Sequence, residues 1–270
     1  MSRRGLWTVL LLTGAVVRPG PPAAGQDAAT PAALEDYLRS ARVVSLDKSG
    51  MSGRTSPWMA ALSDGVVERK AVFKYIDRRR PALLPDSFHY ELAAYELSKL
   101  IGLPVVPPVV ERTIEGVPGS LQVYLEACVR YRDLKSRGLA PPDSEQFLNA
   151  MAEIRVFENL VYNACANLED TLVHTEDWFI RRVDFSEAFA PEPTLLSGCD
   201  VTRCSRTLYA VLKDLDASRL RSALGAFLGG DEIEALVKRK QLILDTLDRL
   251  ILDAGEEAVL FGPPRVKDAP

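Results

Sequence analysis

Histidine is nearly missing from this chain. His89 and His174 are the only two in 270 residues, and their separation excludes a histidine-rich metal centre. An excess of charge of one sign is missing too. Against 37 acidic residues stand 33 Lys and Arg, for a formal net charge of −4, so the chain has no basic surplus for nucleic acid and no general affinity for anionic partners. Cysteine is sparse at four residues, with spacings that fit no zinc pattern. What remains is an ordinary globular balance, 47% hydrophobic and 26% charged, with length for one large domain or two lobes.

The one early apolar run is short. Arg3 and Arg4 precede Leu6–Val17, a stretch too brief to cross a bilayer comfortably, and Ala23-Ala24-Gly25 supplies small residues for signal cleavage. Residues 1–25 therefore read as a signal peptide and Gln26 as the mature start. The paired arginines fit a simple signal better than a twin-arginine one. No cysteine lies near the cleavage point to take a lipid anchor. The expectation is an exported protein, periplasmic or extracellular, with no stable membrane span after cleavage. In an oxidising compartment Cys199 and Cys204, separated by Asp-Val-Thr-Arg, are candidates for a short disulfide, while Cys128 and Cys165 have no evident partner.

After a linker at 26–31, a short helix is expected over Ala33–Ser40 and a strand over Arg42–Leu46. A Gly/Ser/Thr turn containing Ser52, Gly53 and Thr55 leads to a second strand near Trp58–Leu62, and exposed backbone N–H groups there suit a phosphate cover. Ser63-Asp64-Gly65 turns the chain into Ala71-Val72-Phe73-Lys74-Tyr75-Ile76, a β-branched and aromatic strand with a lysine in it. Ser87 or Asp86 caps the next helix, amphipathic through Leu92, Tyr95 and Leu100 and stopped by Gly102, with Glu91 in its first turn. Pro107-Pro108 marks Val105–Ile114 as an edge strand, followed by a loop at Glu115–Gly119 and a returning strand from Ser120 to Glu126. The second half is mostly helical. Ser144 caps a helix whose Phe147, Met151, Ile154, Phe157 and Leu160 recur at helical spacing, two short strands follow at Thr171–Val173 and Trp178–Val183, and three helical runs cover 205–215, 217–228 and 231–252.

Several stretches in this order resemble a family. They are Phe73-Lys74, Tyr90 to Leu97, Leu100-Ile101-Gly102-Leu103, Val106 to Arg112, Gly119 to Gln122, Phe157 to Asn163 and Val183 to Phe189. Together, from roughly Val43 to Ile251, the chain resembles the bacterial kinase-like proteins grouped with HipA-type and phosphatidylinositol 3/4-kinase-type folds, and more distantly the secretory-pathway protein kinases. The resemblance implies an α+β, two-lobed protein-kinase-like fold, with a small β-rich N-lobe carrying one main helix (41–127) and a mostly helical C-lobe (128–254). Residues 26–40 would be linker and short helix, and 255–270 a flexible tail. It also implies ATP and Mg²⁺ as cofactors. Lys74 would hold the nucleotide phosphates and Glu91 would orient it, Ser52, Gly53 and Thr55 would cover them, and Asp184 would hold the metal.

The resemblance breaks after the long helix. Where active relatives carry a catalytic aspartate this chain has Cys165, with Ala166 beside it, and Asp170 stands where a metal-binding asparagine is expected. A protonated thiol is a poor base, whereas Asp170 is an acceptable magnesium ligand. A nucleotide-binding but catalytically impaired kinase-like protein is the first expectation. The second is a working phosphotransferase on a protein, lipid or small-molecule hydroxyl that uses Asp170 or Glu169. The third is a secreted interaction scaffold that binds no nucleotide.

Overall fold

The computed structural model describes residues 30–49, 56–165 and 167–262. The proposed leader and the turn holding Ser52, Gly53 and Thr55 lie outside them. Thr30 caps α1 (Pro31–Ser40), its hydroxyl accepting from Ala33 N at 3.3 Å, and Leu34 and Leu38 fall one turn apart on the buried side. Then come β1 (Arg42–Asp47), β2 (Trp58–Ser63), β3 (Glu68–Lys74), the two-residue strands β4 (Asp77–Arg78) and β5 (Asp86–Ser87), α2 (Phe88–Leu100), β6 (Val109–Ile114) and β7 (Val117–Val123). Five of these strands form an antiparallel sheet in the order β1-β2-β3-β7-β6. The Pro-Pro segment thus enters an edge strand, as expected.

One hairpin is tighter than its sequence suggests. The β6–β7 turn is Glu115-Gly116 alone, both with positive φ (51° and 80°), the geometry whose twist matches paired strands. Pairing therefore resumes at Val117, and Gly119 lies within β7 rather than in a loop. It is there for clearance: a Cβ on Gly119 would sit 2.3 Å from the Lys74 carbonyl oxygen and against the Phe73 ring.

The sheet separates two cores by side-chain alternation. Ala71 and Phe73 of β3, with Leu121 and Val123 of β7, pack under Leu34 and Leu38 of α1. Val72 and Lys74, paired with Gln122 and Ser120, face the other way, toward the side where Val109 joins α2 and the helical half in the larger core. The expectation that α2 is amphipathic needs correcting. Phe88, Tyr90, Leu92, Ala93, Ala94, Tyr95 and Leu97 are all buried, because β6 and β7 cover one side of the helix and α6 another.

The remaining elements are β8 (Cys128–Arg130), α3 (Tyr131–Ser136), α4 (Ser144–Val161), β9 (Thr171–His174), β10 (Ile180–Arg182), β11 (Cys204–Ser205), α5 (Arg206–Asp214), α6 (Ala217–Leu224), α7 (Gly230–Ala254), α8 (Glu256–Val259) and β12 (Leu260–Phe261). The cap of α4 is Asp143, which accepts from Gln146 N at 3.0 Å, and not Ser144. The expected face of α4 is core, with Phe147, Ile154, Phe157 and Leu160 all buried. Glu256–Phe261, counted with the tail from sequence, is structured: β12 pairs in parallel with β11. No helix among the described residues is long and apolar enough to cross a membrane. The molecule is α+β and two-lobed, a sheet with one main helix on one side and a helical bundle on the other.

Candidate functional site

Three residues far apart in sequence meet where the lobes face each other. Lys74, last in β3, donates from Nζ to Glu91 Oε1 at 2.5 Å and to Asp184 Oδ1 at 2.6 Å. Ser87 starts α2 so that Glu91 occupies its first turn, and the same Glu91 oxygen accepts from Phe185 N at 3.0 Å. One carboxylate therefore holds both the lysine and the backbone beside Asp184. Lys74 and Glu91 are largely buried, whereas the Asp184 side chain is 54% exposed, so the cluster opens to solvent through Asp184. Burial works against the Lys74 ammonium, but the charges of Glu91 and Asp184 outweigh it and hold its pKa above the ordinary lysine range. Burial also opposes ionisation of Asp184, and there the Lys74 charge wins, leaving the carboxyl below its usual value.

Asp184 is held in an uncommon backbone conformation. Its φ is +66°, a left-handed setting that non-glycine residues adopt at a cost of about 1–3 kcal/mol and keep only when neighbours impose it. The neighbours are visible. Val183 N donates to Asp170 O at 3.0 Å, Asn163 Nδ2 to Asp184 O at 3.2 Å, and Phe185 packs edge-on against Phe157 at 5.7 Å between centroids. Further along, Arg80 donates to Ala188 O and Glu187 O, both at 2.9 Å, and buried Arg239 donates to Ala190 O and Glu192 O.

The loop after α4 corrects two sequence expectations. Cys165 is bonded to Cys199 across 34 residues, so Cys199 does not pair with Cys204, which is a buried free thiol. Cys165 in turn is not a thiol at all but half of a disulfide, with no proton to exchange. Glu169 points into an ion-pair group with Arg130 and Arg132. Asp170 is different: partly buried, it accepts from Asn167 Nδ2 and lies in the electrostatic range of Asp184, Lys74 and Arg182. Arg182, invisible to sequence reasoning, anchors this loop. It is fully buried against Glu158 at 3.0 Å and donates to Asn167 O and Thr171 Oγ1, each at 3.2 Å.

Burial, and then the charge of Asp184, push the Asp170 carboxyl up to about 6. In the unfolded chain it titrates near 3.8, so the folded state binds this proton more tightly and ionisation costs stability as pH rises. Asp170→Asn is therefore expected to stabilise the protein by on the order of 2 kcal/mol above pH 6. The gain should shrink between pH 6 and 4 and vanish below. Urea melts of both proteins across pH 3.5–8 check this, and a pH-independent difference would contradict the assignment.

The donor set suits a hard cation. Mg²⁺ is held through one or two carboxylates plus substrate phosphates, and Asp170 and Asp184 offer two carboxylates whose mutual repulsion a cation would relieve. Among the described residues, the three-donor cluster found within 4.8 Å is Glu158, Cys165 and Cys199, whose sulfurs are bonded to each other. A groove between α5 and α7, lined by Tyr209, Ile251 and Leu252 among others, contains none of these carboxylates.

This architecture is that of the protein-kinase-like fold, and solved structures agree. The chain is similar to a hydra Fam20 solved with sugar, at 16% identity and a TM-score of 0.67, covering 86% of this chain and 92% of that one. It is similar to a Golgi casein kinase solved with Mn and ADP, at 14% identity and a TM-score of 0.58, covering 87% and 80%, and to the Helicobacter pylori proinflammatory kinase CtkA, at 9% and 0.52, covering 80% and 98%. At such identities the likeness is one of fold. No protein-family model and no curated protein sequence matches the chain.

Proposed function

We propose that this is an exported, kinase-like protein that binds ATP with Mg²⁺ between its lobes and is impaired in phosphoryl transfer. The observation that carries the reading is the convergence of Lys74, Glu91 and Asp184. Phosphoryl transfer is mainly positioning and charge neutralisation. A lysine kept cationic suits phosphate oxygens, and Asp184 with Asp170 would hold the metal that bridges them. A fold neighbour was solved with Mn and ADP, which supports the cofactor class. Impairment follows from Cys165: at the position expected of the base, a disulfide sulfur neither accepts nor orients a hydroxyl proton.

A second reading, an active phosphotransferase, has one observation in its favour. Asp170 is partly buried beside Asp184 with a carboxyl raised to about 6, so it is a better candidate to orient an acceptor than Glu169, which is engaged by Arg130 and Arg132. The acceptor would be a protein, lipid or small-molecule hydroxyl.

A thermal-shift titration with Mg²⁺–ATP tests binding. At about a hundred times Kd, ATP should stabilise the chain by about 2.7 kcal/mol, and Lys74→Met should abolish most of that shift. A flat response to every nucleotide would return the chain to the scaffold reading. Transfer of label from ATP that is lost in Asp170→Ala would replace impairment with activity.

A further inference from the structure

Of the four cysteines, one is placed to react. Cys165 and Cys199 are bonded to each other, and Cys204 is a thiol that burial pushes up to about 12. Cys128 is only half-buried and is the first residue of β8. That strand is an edge of the three-stranded sheet β10-β9-β8. Val129 and its partner Val173 turn into the larger core. By alternation, Cys128 and its cross-strand partner His174 lie together on the opposite face.

Directly opposed residues in an antiparallel pair hold their Cβ atoms about 4.5–5.5 Å apart, a gap that a thiol and an imidazole ring bridge between them. The ring is also fixed from its own turn. His174 Nδ1 lies 2.8 Å from Asp177 Oδ1, the oxygen that accepts from Phe179 N at 3.0 Å. Burial opposes ionisation of Asp177, but the bonds from Phe179 and His174 outweigh it and keep the carboxyl below its usual range. A carboxylate only accepts, so Nδ1 carries the ring hydrogen and Nε2 of the neutral ring keeps its lone pair. Nucleophile, base and orienting carboxylate thus follow one another across two strands and a turn.

The other charged neighbours are mixed in sign. Arg130, next on the Cys128 face, is engaged by Glu169, and Arg181 of β10 stacks on Phe179. Glu176 is exposed in the β9–β10 turn. The helix α3, which packs on β8 and β9, brings Arg132, Asp133 and Lys135.

We infer that Cys128 is a thiol, activated by His174 and Asp177, that exchanges with low-molecular-weight disulfides. Nε2 takes the thiol proton and the thiolate attacks one sulfur of the disulfide. A mixed Cys128 disulfide forms as the original S–S bond breaks, and the departing thiolate recovers the proton from His174. The incoming disulfide is the oxidant: the Cys128 sulfur is oxidised and the departing sulfur reduced. Lys74, Glu91 and Asp184 take no part, so the inference stands apart from the nucleotide reading.

The test uses the full chain with Cys165–Cys199 intact. Incubation with glutathione disulfide at pH 7, followed by peptide mapping without reduction, should place one glutathionyl group on Cys128 and none on Cys204. Alkylation of Cys128 by iodoacetamide is then followed from pH 6 to 10 beside N-acetylcysteine. An unassisted thiol, with a pKa of about 8.5, keeps only a few per cent of its high-pH rate at pH 7. Cys128 should keep roughly tenfold more of its own, and His174→Gln should return it to the unassisted profile. Asp177→Asn, which still closes the turn on Phe179 N, should fall between the two. A wild-type profile matching N-acetylcysteine would overturn the inference, as would an adduct missing from Cys128 or an assisted profile that survives in His174→Gln. The wild-type profile needs no variant, so a misfolded His174→Gln would not shield the inference.

Discussion

Arg182→Met should cost about 3–5 kcal/mol of stability, the range for removing one member of a buried ion pair. Arg182 and Glu158 are both completely buried, 3.0 Å apart. Taking away the guanidinium removes the buried ion-pair partner of the Glu158 carboxylate and one donor each from the carbonyl of Asn167 and the hydroxyl of Thr171, which remain bonded to each other. The loss is a penalty for a buried charge deprived of its ion-pair partner rather than the net worth of the pair. Glu158→Leu combined with Arg182→Met should therefore recover the greater part of it, since both desolvation costs then disappear. Urea denaturation of the three proteins measures this. A single variant within 1 kcal/mol of wild type would mean that the two groups are not paired in the folded protein. Because Arg182 also holds the loop that carries Asp170, the single variant should show a weaker nucleotide-dependent shift even where it remains folded.

Reducing the Cys165–Cys199 bond should cost about 3–4 kcal/mol, the chain-entropy value for a closed loop of this length. The bond ties the turn after α4 to a segment that is also held through Asn159, whose Nδ2 donates to Cys199 O and whose Oδ1 accepts from Leu196 N. A Cys165→Ser, Cys199→Ser protein and wild type in reductant should lose similar amounts, read from the shift of the urea midpoint. Peptide mapping without reduction should recover the linked pair. Equal stability of oxidised and reduced protein, or a Cys199–Cys204 link, would refute the assignment. The bond also constrains any attempt to place a carboxylate at position 165. Cys165→Asp removes the crosslink as it installs a carboxylate, so any gain in chemistry arrives with a loss of stability and has to be measured where the variant is still folded.

Much of this was legible in the sequence, for local reasons. Strand alternation around Lys74, the Ser87 cap and Gly102 stop of α2, the Pro-Pro entry to β6 and the spacing on α4 are all signals that short segments carry by themselves. The order of Lys74, Glu91 and Asp184 is equally a property of the chain, and the structure brings the three together. What was not legible depends on partners distant in sequence. The choice of Cys165 for Cys199 is one of several pairings that composition alone allows. The β8 strand exists because β9 lies beside it, with little in Cys128-Val129-Arg130 to announce it. Arg182 looked like any strand arginine, since only the fold supplies Glu158. The burial of α2 on several sides was hidden for the same reason: its sequence shows which residues are apolar, not how many surfaces will cover them.

That burial sets a limit on how the protein can be controlled. Protein kinases are commonly governed by whether the glutamate-bearing helix is in place. Here the helix that carries Glu91 is wedged into the larger core by Leu92, Tyr95 and Leu97 while it also lies on the sheet. Withdrawing three such side chains forfeits roughly 1.5–3 kcal/mol each. The displaced state would then be populated at about one molecule in a thousand or fewer. An effector would have to supply that whole difference to turn the site off. The Lys74–Glu91–Asp184 cluster is thus put together as the chain folds, rather than by the later arrival of a helix.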